Sequence, residues 1–181
     1  MSDMNVAELE RAVAQVEGAC QLEAIRLVVT HLPAVVAHGG DLQGRSAMLL
    51  AAHLAGLAFA TTGLGTAHAI GHALSARYGT AHGVALAAVL PLVVRFNTSE
   101  RPLQSDRIAE AAGVTGGSEE LVGALSELQR GLGLHPSLRE LGVPRRELAE
   151  VADAALADEV VRNAPRVPSR RELMGMLDAA Y

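Results

Sequence analysis

The chain has 181 residues and a mass of 18.8 kDa, half of them apolar, which suits one domain with its own core and excludes a disordered chain. A net charge of −5, no basic run and only four aromatic residues argue against a nucleic-acid surface. All 15 basic residues are Arg, so there is no lysine for a Schiff base or a phosphate loop, and a single cysteine, Cys20, excludes an internal disulfide and a cysteine-rich zinc site.

Turn signals divide the chain into helices, and no segment alternates in the way a strand requires. The first two predicted helices run over about 7–16 and 21–37, the second interrupted or kinked by Pro33. Gly39-Gly40-Asp41 makes a turn. A third helix over about 45–60 is apolar nearly all round and is expected to be central. Gly63-Leu64-Gly65 breaks the chain before a fourth helix over about 66–77. Tyr78-Gly79-Thr80 turns into a fifth over about 82–96, with Pro91 inside it. Asn97–Gln104 is a polar loop. Charges then return in amphipathic helices at about 105–112, 118–132, 144–160 and 169–180, the last opened by a Ser169/Glu172 capping box. The fold class expected is all-α, a single helical domain over 1–181 with a buried half at 7–97 and outer helices at 105–181.

Residues 46–76 hold no Asp, Glu, Lys or Arg, long enough to suggest a membrane span. The stretch carries His53, His68 and His72, Thr61-Thr62 and two glycines, so it reads instead as two buried helices. No basic-then-apolar leader opens the chain, and the expected location is cytoplasmic. No glycine-rich turn follows a strand, so no dinucleotide-binding unit is expected.

His68 and His72 stand four residues apart and project from one helical face. His82 opens the next helix, and an antiparallel pair turning at 78–81 brings it back beside His68. Such a constellation suits an imidazole metal site or a proton relay, and equally a set of core histidines. No Asp or Glu lies between Asp41 and Glu100, so neither a metal nor a histidine base has a local carboxylate. Tyr78 reads as a packing residue, His53 as a structural one, and His31, His38 and His135 as surface residues.

Gly63-Leu64-Gly65-Thr66-Ala67-His68-Ala69-Ile70-Gly71-His72-Ala73-Leu74, followed by Tyr78-Gly79-Thr80-Ala81-His82-Gly83, resembles the signature of the iron-containing alcohol dehydrogenases, G-L-G-x-x-H-A-x-x-H-x-L-x-x-x-Y-x-x-x-H-G. Leu90-Pro91, Phe96-Asn97, Leu22-Glu23-Ala24-Ile25-Arg26 and Leu138-Arg139-Glu140-Leu141-Gly142-Val143 extend the likeness over about 18–181. The resemblance implies the helical C-terminal domain of that family, with His68 and His82 as metal ligands to iron or zinc. It places His72 by the nicotinamide and substrate. The family completes its metal site with D-x-x-x-H on the opening helix. Here Asp3 is followed four residues later by Ala7, leaving Asp3 only as a weak third ligand. The family's nucleotide-binding domain has no counterpart in this chain, so no NAD site is expected within it.

The leading expectation is therefore a domain repurposed for NAD-independent acid/base or metal-assisted chemistry on a small molecule, with His72, His68 and His82 as catalytic residues. One alternative is a subunit of a split metal-dependent alcohol dehydrogenase, completed by a separate nucleotide-binding subunit. Another is a non-catalytic scaffold or truncated remnant. The apolar wall uncovered by the missing domain suggests a homo-oligomer or such a partner, with neither nucleic acid nor membrane involved.

Overall fold

The computed structural model describes residues 6–181, and the side chains of that range except 6–12, 61 and 118. Among the described residues there are eight α-helices, two 3-10 segments and no strand. They are α1 (Val6–Ala37), α2 (Leu42–Thr62), α3 (Thr66–Tyr78), α4 (His82–Thr98), α5 (Pro102–Ala111), α6 (Ser118–Gly131), α7 (Leu148–Ala157) and α8 (Arg170–Ala179). The 3-10 segments, Arg145–Glu147 and Glu159–Asn163, flank α7. The all-helical class read from turn signals and periodicity is the observed one.

The described residues form two compact units, one of residues up to 62 with 110–113, the other of 63–109 with 114–181. In the first, α1 and α2 pack along each other as a hairpin. The two opening helices of the sequence reading are one continuous helix, because neither Gly18 nor Pro33 stops it. Asp41 closes the turn by accepting the Gly44 N–H at 3.0 Å. The expected burial of the apolar α2 is not found. Ala51 is buried, whereas Leu42 and Leu49 are 77% and 75% exposed, and Leu50, Leu57 and Phe59 are about half exposed. His53 is exposed as well. A hairpin buries only the stripe that faces its partner helix, whatever the composition of the rest. The uncharged stretch at 46–76 is broken at 63–65. Among the described residues, Val13–Ala37 is long and apolar enough to cross a membrane by length and composition.

The second unit carries the main core. Ala69, Ile70, Ala73 and Leu74 of α3 meet Ala85, Val89 and Val93 of α4. From the other side come Leu148, Val151, Ala152 and Ala155 of α7 and Leu173 and Leu177 of α8, all fully or nearly buried. The core thus draws on both sides of residue 97, rather than on a buried first half wrapped by outer helices. Gly79 ends α3 in the left-handed region, φ +67°, and its N–H returns to the Ser75 carbonyl. Such a conformation lets the chain reverse directly into α4.

Pro91 lies inside α4 and has no N–H, so the Ala87 carbonyl loses its partner one turn earlier. Gln129 of α6, 7% exposed, replaces it by donating its Nε2 to that carbonyl at 3.0 Å. A buried carbonyl left bare costs about 1–3 kcal/mol, so this pair explains a polar side chain in the α4–α6 contact. At the start of α8 the Ser169/Glu172 capping box forms as read from sequence. Glu172 also meets Arg166 at 2.9 Å, and Arg166 reaches Glu100 at 2.7 Å while lying over the Phe96 ring. These partners, Arg166 first and the Ser169 donors next, hold the Glu172 carboxyl down at about 2.

Gln129→Leu is expected to destabilise the protein by about 1–2 kcal/mol in urea titration. The loss should shrink in a Pro91→Ala background, where a backbone N–H again serves Ala87. The Glu172 carboxyl titrates lower folded than unfolded, so its contribution is complete above about pH 4.5 and disappears as the pH falls toward 2. Acid unfolding of Glu172→Gln should therefore be flatter across that window than that of the parent.

Candidate active site

α3 and α4 form an antiparallel pair, and the reversal at 79–81 returns His82 to the neighbourhood of α3. His68 and His72 project from the face of α3 opposite its buried alanine and leucine stripe. The three rings form a triangle. Centroids lie 6.1 Å apart for His68–His72, 5.5 Å for His68–His82 and 5.5 Å for His72–His82, the last pair stacked at 23°. His68 and His72 are half-buried and His82 is exposed, so the cluster opens onto a surface rather than into a closed cavity.

Close approach of the two helices depends on Gly71. A Cβ there would lie 2.7 Å from Leu86 Cδ2 and 3.8 Å from His82 Cε1. The missing side chain lets α4 settle against α3 at the turn where the rings meet.

The 41–100 stretch offers no carboxylate between its ends, and the fold supplies one from outside it. His72 Nδ1 lies 2.7 Å from Asp158 Oδ2, although 86 residues separate them. α7 packs against α3, and the chain leaving α7 carries Asp158 over the ring. Asp158 also accepts the Val160 N–H at 3.0 Å and so caps the 3-10 segment. The His72 hydrogen bond first, then the Val160 N–H, hold its carboxyl below the ordinary Asp range. An ionised Asp158 accepts from Nδ1–H, which selects the tautomer with the proton on Nδ1. Sequence spacing hides this partner, because only the α3–α7 contact brings it near. Burial first, then the two neighbouring rings, lowers the His68 pKa and favours its neutral form.

Two imidazoles bound to one ion at tetrahedral angles place their centroids roughly 5 Å apart, given metal–nitrogen bonds of about 2.1 Å. His68–His82 and His72–His82 both lie at 5.5 Å, so the spacing is compatible with a shared ion without singling out one pair. Among the described residues no group of three His, Cys, Asp or Glu is arranged to hold an ion, so the set is incomplete within them. Asp3, the weak third ligand of the sequence reading, lies outside the described residues. His31 is half-buried on α1, and His38 and His135 are exposed. Tyr78 packs on the core and donates its hydroxyl to Glu147 at 3.1 Å, and burial raises its pKa.

A helical unit with this histidine triangle at the α3–α4 reversal defines a class, and comparison with known proteins gives the same one. The model of the Fe-containing alcohol dehydrogenase family, C-terminal, matches residues 9–181, and the chain belongs to that family. Among curated relatives, it is 34% identical to a 1,3-propanediol dehydrogenase of Klebsiella pneumoniae, covering 97% of this chain and 47% of the relative. It is 29% identical to an NAD-dependent methanol dehydrogenase of Bacillus methanolicus, covering 96% and 48%. The crystal structure of a 1,3-propanediol oxidoreductase superposes with a TM-score of 0.88 at 35% identity, covering 92% of this chain and 45% of that one. The chain spans about half the length of the curated relatives it matches.

Gly71→Ala is expected to change the urea midpoint little, because about 1 kcal/mol of helix propensity offsets the repacking of Leu86. It should nevertheless separate the His72 and His82 rings, read as weakened ring-to-ring nuclear Overhauser contacts.

Proposed function

We propose that this chain supplies the proton-handling and metal-facing half of an enzyme site acting on small alcohols or their aldehydes. The observation that carries this reading is the His72–Asp158 pair set inside the triangle with His68 and His82. Asp158 fixes the His72 tautomer, and His72 Nε2 takes the hydroxyl proton of an alcohol or returns it to a carbonyl oxygen. His68, kept neutral, and His82 would hold iron or zinc together with donors from beyond the described residues. An ion there would polarise the substrate oxygen as a Lewis acid. No strand–turn–helix unit for a nicotinamide dinucleotide occurs among the described residues, so the redox half of a dehydrogenase reaction belongs to a further polypeptide segment or subunit. This is the split-dehydrogenase reading. The 34% identity over 97% of the chain to a 1,3-propanediol dehydrogenase favours it over a repurposed activity.

The second reading is NAD-independent acid/base chemistry by the same histidines. Its support is that the His72–Asp158 pair is complete within this chain and needs no ion to orient it. Under either reading the substrate is a small molecule and the working form is an assembly, a homo-oligomer or a complex with a nucleotide-binding subunit, in the cytoplasm.

Turnover of 1,3-propanediol and of its aldehyde is the direct test, measured with and without nicotinamide and with added iron or zinc. His72→Asn should lower kcat about 10²–10⁴-fold while the fold persists. His68→Ala and His82→Ala should each remove bound metal in mass-spectrometric analysis. Activity that needs a nicotinamide-binding partner supports the split dehydrogenase. Activity without nicotinamide or metal selects the second reading, and unchanged turnover in His72→Asn rejects both.

A further inference from the structure

The segment that supplies Asp158 is anchored at its other end too. The 3-10 segment Glu159–Asn163 packs on α3. At its start Asp158 holds the His72 ring. At its end Asn163 donates its Nδ2 to the Leu64 carbonyl at 3.1 Å, in the turn that opens α3. The turn is shaped to receive it. Gly63 sits at φ +73°, and a Cβ there would lie 2.3 Å from Asn163 Nδ2. At Gly65 a Cβ would meet the Ala164 backbone at 3.6 Å, an ordinary contact that leaves little room for a larger residue. One short segment therefore grips α3 at its entry and, two turns further on, at the His72 ring.

The geometry points to Asn163 as a positioning residue for the histidine cluster: by fixing the 159–163 segment against the Gly63–Gly65 turn, it holds Asp158 in register with His72 Nδ1. The inference rests on the reading of this cluster as the working site, but its test does not require turnover. Asn163 is exposed, and a single exposed hydrogen bond contributes little to global stability. Its effect is instead geometric, because a shift of 1 Å at Asp158 would break a 2.7 Å hydrogen bond. Asn163→Asp keeps the shape, removes the donor and places a carboxylate against the Leu64 carbonyl.

The experiment is nuclear magnetic resonance of the ¹⁵N-labelled 181-residue chain, following the His72 Nδ1–H signal together with backbone amide exchange. In Asn163→Asp the Nδ1–H should exchange with water at least tenfold faster, while protection of amides 151–157 in α7 stays as in the parent. Gly63→Ala, which drives a Cβ into the Asn163 amide and also strains a turn at φ +73°, should give at least the same acceleration. An unchanged Nδ1–H exchange rate in Asn163→Asp overturns the inference. So does a loss of α7 protection by the same factor, which would mark Asn163 as merely structural. If the ring responds as expected but His72→Asn turns over normally, the positioning stands and the assignment of the site fails.

Discussion

The contact of α3 with α7 is the constraint on which the site depends. One face of α3 is a stripe of alanine and leucine that must be covered, and α7 covers it with Val151, Ala152 and Ala155. Burial of that stripe fixes the rotation of α3 and so directs His68 and His72 outward on the other face. It also dictates where the chain leaves α7, and there Asp158 meets His72. Hydrophobic packing thus delivers a carboxylate to an imidazole across 86 residues without any local sequence signal.

Gly71 and the αL turn at Gly79 do the corresponding work for His82. The first lets α4 approach, and the second reverses the chain quickly enough for the opening residue of α4 to face back on α3. The result is three imidazoles within about 6 Å of one another on a half-open surface. One imidazole is held by a carboxylate and stands beside two further rings. The helices order the three rings, and among the described residues no group of three donors is arranged to hold an ion.

Much of this was legible in the sequence. Periodicity and turn residues placed the helix boundaries of α3, α4 and α8 to within about two residues, and the capping box at Ser169 is a purely local pattern. The i, i+4 histidines and the turn before His82 implied proximity, and the long signature implied the family. Partners set by tertiary packing were not legible. Asp158 and Gln129 look like ordinary helix-flanking and helix residues until α7 meets α3 and α6 meets α4. The apolar run of α2 misled for the converse reason. Composition reports what a surface prefers, and burial needs a neighbour as well, which α2 has on one side only in its own unit.

The ion pairs that tie down the second unit, Arg77 with Glu150, Arg145 with Asp178, Arg166 with Glu100 and Glu172, and Arg170 with Asp153, are all made by guanidinium groups. Guanidinium stays charged throughout the physiological range. The chain contains no lysine, so it has no ε-amine with which an aldehyde could condense to an imine. A scaffold without side-chain amines leaves a carbonyl compound no group of that kind to modify.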